Sequence, residues 1–160
     1  MKIIYCHHAL RQIKGKPTQE DDITLLGEED AKLVSQIFAL GSKKEKFKAI
    51  YTSNFFRCEK TAKIINDKLN LPIIFDNRLN EFGSVENENW LDLQNRVREV
   101  LKEIVFKYND DDTVICVTSG VNIVAFMSLI FGLKPDEKAP FVGVPSCSPM
   151  IFKITKDMFN

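Results

Sequence analysis

Thr113-Val114-Ile115-Cys116-Val117-Thr118 runs into Ser119-Gly120 and then into an apolar stretch from Ile123 to Phe131 that stops at Gly132. The first six residues are apolar or β-branched on both faces of an extended chain. That is the pattern of a central strand in a parallel sheet, covered by helices on both sides. The Ser-Gly pair reads as a turn, and the apolar stretch behind it as a helix. One strand-turn-helix unit therefore sits near the end of the chain.

The same unit recurs upstream. Lys2 to Cys6 carries Ile3-Ile4-Tyr5 and reads as a buried strand, followed by a polar loop over residues 7–23 with Gly15 and Pro17. Thr24 is placed to cap a helix with acids in its first turn, where the helix dipole favours them, and with Ala31, Val34, Ile37 and Phe38 at helical spacing up to Gly41. Ala49 to Thr52 is a second strand. Asn54 is the expected cap of a helix bearing Phe55, Cys58, Ala62, Ile65 and Leu69 on one face. Pro72 to Phe75 is a short third strand, and residues 76–89 a polar loop. Trp90, Leu93, Val97, Val100, Leu101, Ile104 and Tyr108 form the most regular amphipathic helix, which Asp110-Asp111-Asp112 breaks. Pro140, Pro145 and Pro149 punctuate the tail before a last strand, Met150 to Ile154.

Strands alternating with helices predict an α/β fold, a three-layer sandwich with a mostly parallel central sheet, in one domain spanning residues 1–160. A chain of this length buries about 68–70% of its unfolded surface and needs no disulfide or metal. Lys+Arg and Asp+Glu both number 22, so the net charge is zero. That balance argues against nucleic acid, whose binding draws on an excess of cations, but leaves room for one small basic pocket. No apolar run approaches the roughly 18 residues of a membrane span. Cys6, Cys58, Cys116 and Cys147 lack the paired spacing of zinc ligands, so neither a metal nor a cofactor is expected. MKIIYCHH turns polar too early for a signal peptide, and the expected setting is the cytoplasm with reduced thiols.

In a parallel α/β sheet, ligands bind beyond the carboxyl ends of the strands. Those ends offer Cys6, His7 and His8; then Thr52, Ser53 and Arg57; then Thr118, Ser119 and Gly120; and, after the third strand, Arg78 and Glu81. An imidazole beside a guanidinium and a carboxylate suits phosphoryl transfer. The imidazole attacks phosphorus, the cation holds the equatorial oxygens, and the acid protonates the leaving oxygen.

The order of these residues resembles the histidine phosphatase superfamily, the phosphoglycerate-mutase-like proteins, along nearly the whole chain. The family's strand ending in Arg-His-Gly corresponds to Ile4-Tyr5-Cys6-His7-His8, and its Leu-Thr-x-x-Gly helix entry to Ile23-Thr24-Leu25-Leu26-Gly27. Its Ser-x-x-x-Arg-x-x-x-Thr-Ala motif matches from Ser53 through Arg57 to Thr61-Ala62, the most specific of the matches. Leu79-Asn80-Glu81-Phe82-Gly83 resembles its Leu-x-Glu-x-x-Gly stretch with the glycine one residue early. Val117-Thr118-Ser119-Gly120 stands where the family has a strand ending in His-Gly, and Pro145-Ser146-Cys147-Ser148 resembles its final turn.

The resemblance implies a nucleophilic His7, a proton-donating Glu81 and a phosphate-binding Arg57. It also exposes departures. Cys6 replaces the family's first arginine, Ser119 its second histidine, and His8 its small residue after the nucleophile. Losing one preorganised donor costs about 10²–10³ in rate, and losing a positioned imidazole about 10²–10⁴. These penalties do not simply multiply. Arg11, in the loop after His7, and His8 are candidates to compensate by contacting phosphate, with Ser119 supplying a neutral hydrogen bond.

Taken one at a time, these residues also have plain structural readings. Strand alternation turns His8 away from His7. Glu81 shares its loop with Glu86 and Glu88, which read as solvated charges, and Lys14 and Lys16 as a solvated loop. Phe82 and Trp90 read as ordinary packing, and Cys6 and Cys116 as buried strand residues. A cysteine-phosphatase loop would need five residues between Cys6 and its arginine, but Arg11 follows after four. A serine-hydrolase elbow at Ser119 fails because Val117 and Val121 stand where glycines are required.

The expectation is therefore a metal-independent phosphomonoester hydrolase of weakened activity, working through a phosphohistidine on His7 and binding a phosphorylated small molecule or phosphate. Mutase activity is less expected, because it needs a pocket that holds two phosphoesters. The alternative is an inactive member that binds a phosphorylated ligand or regulates a partner. The sequence leaves the substrate and oligomeric state open.

Overall fold

The computed structural model describes residues 1–13, 15, 18–133 and 143–159, so Lys14, Lys16, Pro17 and Pro140 lie outside the described residues. Five strands form one sheet: β1 (Lys2–His7), β2 (Lys46–Thr52), β3 (Ile73–Phe75), β4 (Asp112–Thr118) and β5 (Pro149–Lys153), in spatial order β3-β2-β4-β1-β5. The first four run parallel, and β5 closes one edge antiparallel to β1. Every residue of β4 is buried, as its two-faced apolar pattern predicts. Proline at the start of β5 is tolerated because the strand lies at an edge.

Among the described residues, four helices cover the sheet, two on each face. Helix α1 (Leu25–Gly41) and helix α2 (Phe56–Asn66) bury Ala31, Val34, Phe38, Cys58, Ala62 and Ile65 against Ile4, Cys6, Ile50, Ile115 and Val117. Helix α3 (Trp90–Lys107) and helix α4 (Gly120–Ile130) bury Leu93, Val97, Leu101, Ile104, Ile123 and Phe126 against Ile3, Tyr5, Tyr51, Val114 and Cys116. Each of the Val, Leu, Ile and Phe side chains contributes about 1.5–3 kcal/mol on removal from water, so both layers are needed to hold the sheet. The three-layer α/β sandwich is thus present. Among the described residues, no helix is long and apolar enough to cross a membrane.

Local chemistry explains the element ends. Thr24 caps α1 as expected, its Oγ1 accepting from the Gly27 amide at 3.0 Å. A β-carbon on Gly27 would stand 2.8 Å from the Leu10 carbonyl oxygen and 2.9 Å from its nitrogen, so the helix entry requires glycine for close backbone approach. Asn89 and Asp92 form a capping box at the start of α3.

Asn54, by contrast, does not cap α2. The helix is entered at Phe55, and its first amide, that of Phe56, donates to the Gln19 carbonyl at 2.9 Å. A partner distant in sequence has replaced the local cap. Helix α4 starts at Gly120, three residues before the expected Ile123, because the apparent turn is already its first helical residue. The polar loop at 76–89 is also more ordered than its composition suggests. It contains a 3₁₀ turn (Asn77–Leu79), and Leu79 and the Glu88 side chain are buried.

Register sets the stage for chemistry. His7 pairs with Thr118, and Thr52 with Val117, so β1, β4 and β2 end at one level. Beyond their ends β4 passes into α4 on one face, while β1 and β2 lead to α1 and α2 on the other. In such sheets the crevice outside the strand ends, where the two directions part, is the expected ligand site.

Candidate active site

His7 closes β1 and projects to the α4 side. Its Nδ1 lies 2.7 Å from the Val144 carbonyl, and because a carbonyl only accepts, Nδ1 carries the proton and Nε2 the free lone pair. The tail returns to hold this arrangement: the Cys147 amide donates to the His7 carbonyl at 3.1 Å. Cys147 takes a positive φ of 56° to do so. The imidazole lies over the first residue of α4, where a β-carbon on Gly120 would be 3.3 Å from its Cε1. Burial pushes the His7 pKa below its ordinary value. Contacts with the backbone at Val144 and Pro145 and the charge of Glu81 oppose that shift, whereas Arg57 reinforces it. A neutral imidazole with a bare Nε2 is the form that can attack phosphorus.

Arg57 lies in the first turn of α2 and is wholly buried. Each guanidinium nitrogen has a partner: Nε donates to His8 Nε2 at 3.1 Å, Nη1 to the Thr18 carbonyl at 2.7 Å, and Nη2 to Glu81 Oε2. The Phe55 ring lies 4.8 Å from the guanidinium carbon. His7 and His8 stand edge to face with ring centroids 4.4 Å apart. The fold thus gathers His7, His8, Arg57 and Glu81 at one sheet edge.

Ser119 is buried next to Gly120, but its Oγ donates to Asn122 Oδ1 at 3.3 Å. Arg11 is paired with Asp21 at 2.9 Å, so its guanidinium is already engaged. Arg78 turns to Asp76 and Glu103, both at 2.6 Å, and belongs to the packing of the 3₁₀ turn on α3. Cys6 is fully buried among Ile4, Ala9 and Cys58, and burial pushes its thiol up. Phe82 and Trp90 pack edge to face, centroids 6.3 Å apart. Among the described residues, no group of three His, Cys, Asp or Glu side chains is placed to hold a metal.

The profile of the histidine phosphatase superfamily, branch 1, matches residues 10–90 and 83–160. The chain belongs to this superfamily. No curated protein matches it. Among solved structures, YhfR of Bacillus stearothermophilus is similar at 21% identity, over 94% of this chain and 89% of that one, with a TM-score of 0.78. The protein histidine phosphatase SixA, solved with tungstate, is similar at 16% identity over 99% and 91%, TM-score 0.74. A phosphoserine phosphatase mutant from Entamoeba histolytica, in complex with phosphoserine, is similar at 16% over 94% and 89%, TM-score 0.76. At these identities the likeness is one of fold.

The segment that carries Glu81 is heavily braced. Much of the bracing was invisible in the sequence. Arg96, on α3, donates from Nη1 to the Arg78 and Asn80 carbonyls, both at 2.6 Å, and from Nη2 to the Glu81 carbonyl at 3.2 Å. Its Nε meets the buried Glu88 carboxylate at 2.5 Å. Asn80 accepts from Ser53 Oγ and the Asn54 amide, both at 2.9 Å, while Asn122 Nδ2 donates to the Asn80 carbonyl at 3.0 Å. Thr118 Oγ1 donates to the Leu79 carbonyl at 2.6 Å. Glu81 therefore stands on a segment tied to β2, β4, α3 and α4. One signal was available: Asn122 is a lone amide near the start of the most apolar helix.

Proposed function

We propose that this protein is a phosphoric monoester hydrolase that works through a phosphohistidine on His7. The single observation that carries the reading is the state of His7: a neutral imidazole with Nδ1 bonded to the Val144 carbonyl and Nε2 bare. In the proposed cycle Nε2 attacks phosphorus as the ester P–O bond breaks, and Glu81 gives its proton to the leaving alkoxide. Water then attacks the phosphohistidine and passes a proton to Glu81, releasing phosphate and the free imidazole. Arg57 holds the equatorial oxygens in both steps. Glu81 is now the partner of Arg57 Nη2, so an arriving dianion would take over the arginine and free the carboxyl for the leaving group. Ser119 would turn its hydroxyl from Asn122 to a phosphoryl oxygen, and Arg11 would exchange Asp21 for phosphate.

Phosphatases among the fold neighbours, including those solved with tungstate or phosphoserine, support a phosphorylated ligand. A second reading, a member that binds such a ligand without turnover, is favoured by one feature. Cys6 puts a buried thiol where the superfamily resemblance expects a cation.

The test is hydrolysis of an aryl phosphate by wild type, His7→Ala and Cys6→Arg/Ser119→His. The reading expects measurable turnover in wild type, none in His7→Ala, and a rise of about 10²-fold or more in the double variant, the scale of a regained donor. Wild type as inert as His7→Ala, beside an active double variant, would establish the binding reading instead.

A further inference from the structure

The side chain that follows the nucleophile has no place in the cycle above, yet it is 6% exposed and touches Arg57. Its two ring nitrogens have different partners. Nδ1 lies 2.8 Å from the Ala9 carbonyl, which can only accept, so Nδ1 bears the proton. Nε2 is then a bare acceptor, and it receives Arg57 Nε–H at 3.1 Å. This fixes the tautomer and leaves the ring no N–H for a phosphoryl oxygen.

The turn carrying this ring is tied to the same helix. The Ala9 amide donates to Thr61 Oγ1 at 3.0 Å, and Thr61 Oγ1 donates to the Arg57 carbonyl at 2.6 Å. Side chain and backbone thus close a ring between the end of β1 and the first turns of α2. Phe55 fixes the plane of the guanidinium, and Thr18 holds Nη1. Nε–H is a further in-plane donor. Buried without an acceptor, it would cost a desolvation penalty, and the guanidinium would rotate to find one.

We propose that His8 is a positioning residue, a neutral imidazole acceptor that locks Arg57 with its Nη2 edge toward Glu81. His8 directly follows the end of β1 and stands two residues after Cys6, where the superfamily resemblance expects another cation; its ring braces the arginine that remains. The proposal rests on the reading of this crevice as an anion site only for its effect on binding. The bond to Arg57 stands without it.

The test has three arms. In wild-type protein, two-bond ¹H–¹⁵N correlation spectra are expected to show His8 as the Nδ1–H tautomer with Nε2 bare. Titration of tungstate against wild type, His8→Gly and His8→Gln is expected to show affinity about tenfold weaker in His8→Gly. Affinity should be restored within about twofold in His8→Gln, whose amide oxygen reaches the position of Nε2. The Arg57 Nε–H resonance should lose its protection from exchange in His8→Gly and recover it in His8→Gln. An Nε2–H tautomer in wild type would overturn the proposal without any variant having to fold. So would unchanged Arg57 protection in His8→Gly. If wild type binds no tungstate, the anion-site reading fails by itself, and the two spectroscopic arms still judge the bond between His8 and Arg57.

Discussion

Gly120 lies beneath His7 with little room for a methyl group: its β-carbon would sit 3.3 Å from Cε1, a tight contact, and 3.5–3.6 Å from the two ring nitrogens. The backbone here is that of an ordinary helix, so the glycine matters through its closeness to the ring. Gly120→Ala should push the ring off the Val144 carbonyl by a few tenths of an ångström. Activity on an aryl phosphate should fall at least tenfold, because small misplacements of reacting groups are costly. Thermal stability should hold or rise, since alanine in a helix is favoured over glycine by about 0.5–1 kcal/mol. Unchanged kinetics would mean that the ring position does not matter to the reaction.

A second expectation concerns the brace behind Glu81. Arg96 and Glu88 form a nearly water-free pair, with side chains 12% and 1% exposed. Removing one partner of such a pair strands a buried charge and costs about 3–5 kcal/mol. Glu88→Leu should therefore lower the urea-unfolding free energy by that order. Arg96→Leu should do the same and also reduce activity, because three carbonyls of the 78–81 segment each lose a donor. The double variant should recover part of the lost stability but not the activity. Equal activity in Glu88→Leu and Arg96→Leu would show that the carbonyl contacts do not position Glu81.

Acid should loosen the fold in part through His8. Burial, with the neighbouring His7 ring adding to it, lowers the His8 pKa to about 3. The unfolded chain binds this proton near pH 6.5 and the folded chain only near 3. Stability is therefore fully present above the ordinary histidine range and lost progressively as pH falls through that window. The slope is at most about 1.4 kcal/mol per pH unit. Urea unfolding at pH 7 and pH 5 should show a smaller acid loss for His8→Gln than for wild type, by on the order of 1–2 kcal/mol. Parallel losses in the two proteins would place the acid sensitivity elsewhere.

The Gly27 contact gives a purely structural check. Its would-be β-carbon meets backbone atoms of Leu10, which cannot swing aside as a side chain would. Gly27→Ala should cost about 1–3 kcal/mol, the scale of an overpacked contact, despite its better helix propensity. A stabilised Gly27→Ala would show that the Leu10 segment gives way.

Periodicity made most of the fold legible. The two-faced apolar pattern of Thr113 to Thr118 marked the central strand, and the heptad-like spacing from Trp90 to Tyr108 marked α3. Thr24 announced the entry to α1 through local chemistry, and Gly27 entered only through the resemblance. What failed depended on distant partners. Asn54 lost its capping role because the Gln19 carbonyl reached the helix first. Glu88 read as solvated because nothing local says that an arginine eight residues on will fold back over it. In the crevice, residue types marked His7, Arg57 and Glu81, but the orientation of His8 depends on packing. Strand alternation predicts a ring turned away from His7, but β1 ends at His7, the two rings stand 4.4 Å apart, and only the folded chain shows that His8 meets Arg57.

The central claim is covalent, and trapping the phosphoenzyme tests it most directly. Wild type and His7→Ala, mixed with a phosphate-labelled aryl ester and quenched in base, should differ in one respect. Wild type should carry acid-labile, base-stable label on the peptide containing His7, bonded through Nε2, and His7→Ala should carry none. Label that persists in His7→Ala, or a wild-type enzyme that turns over ester while never becoming labelled under single-turnover conditions, would contradict the account.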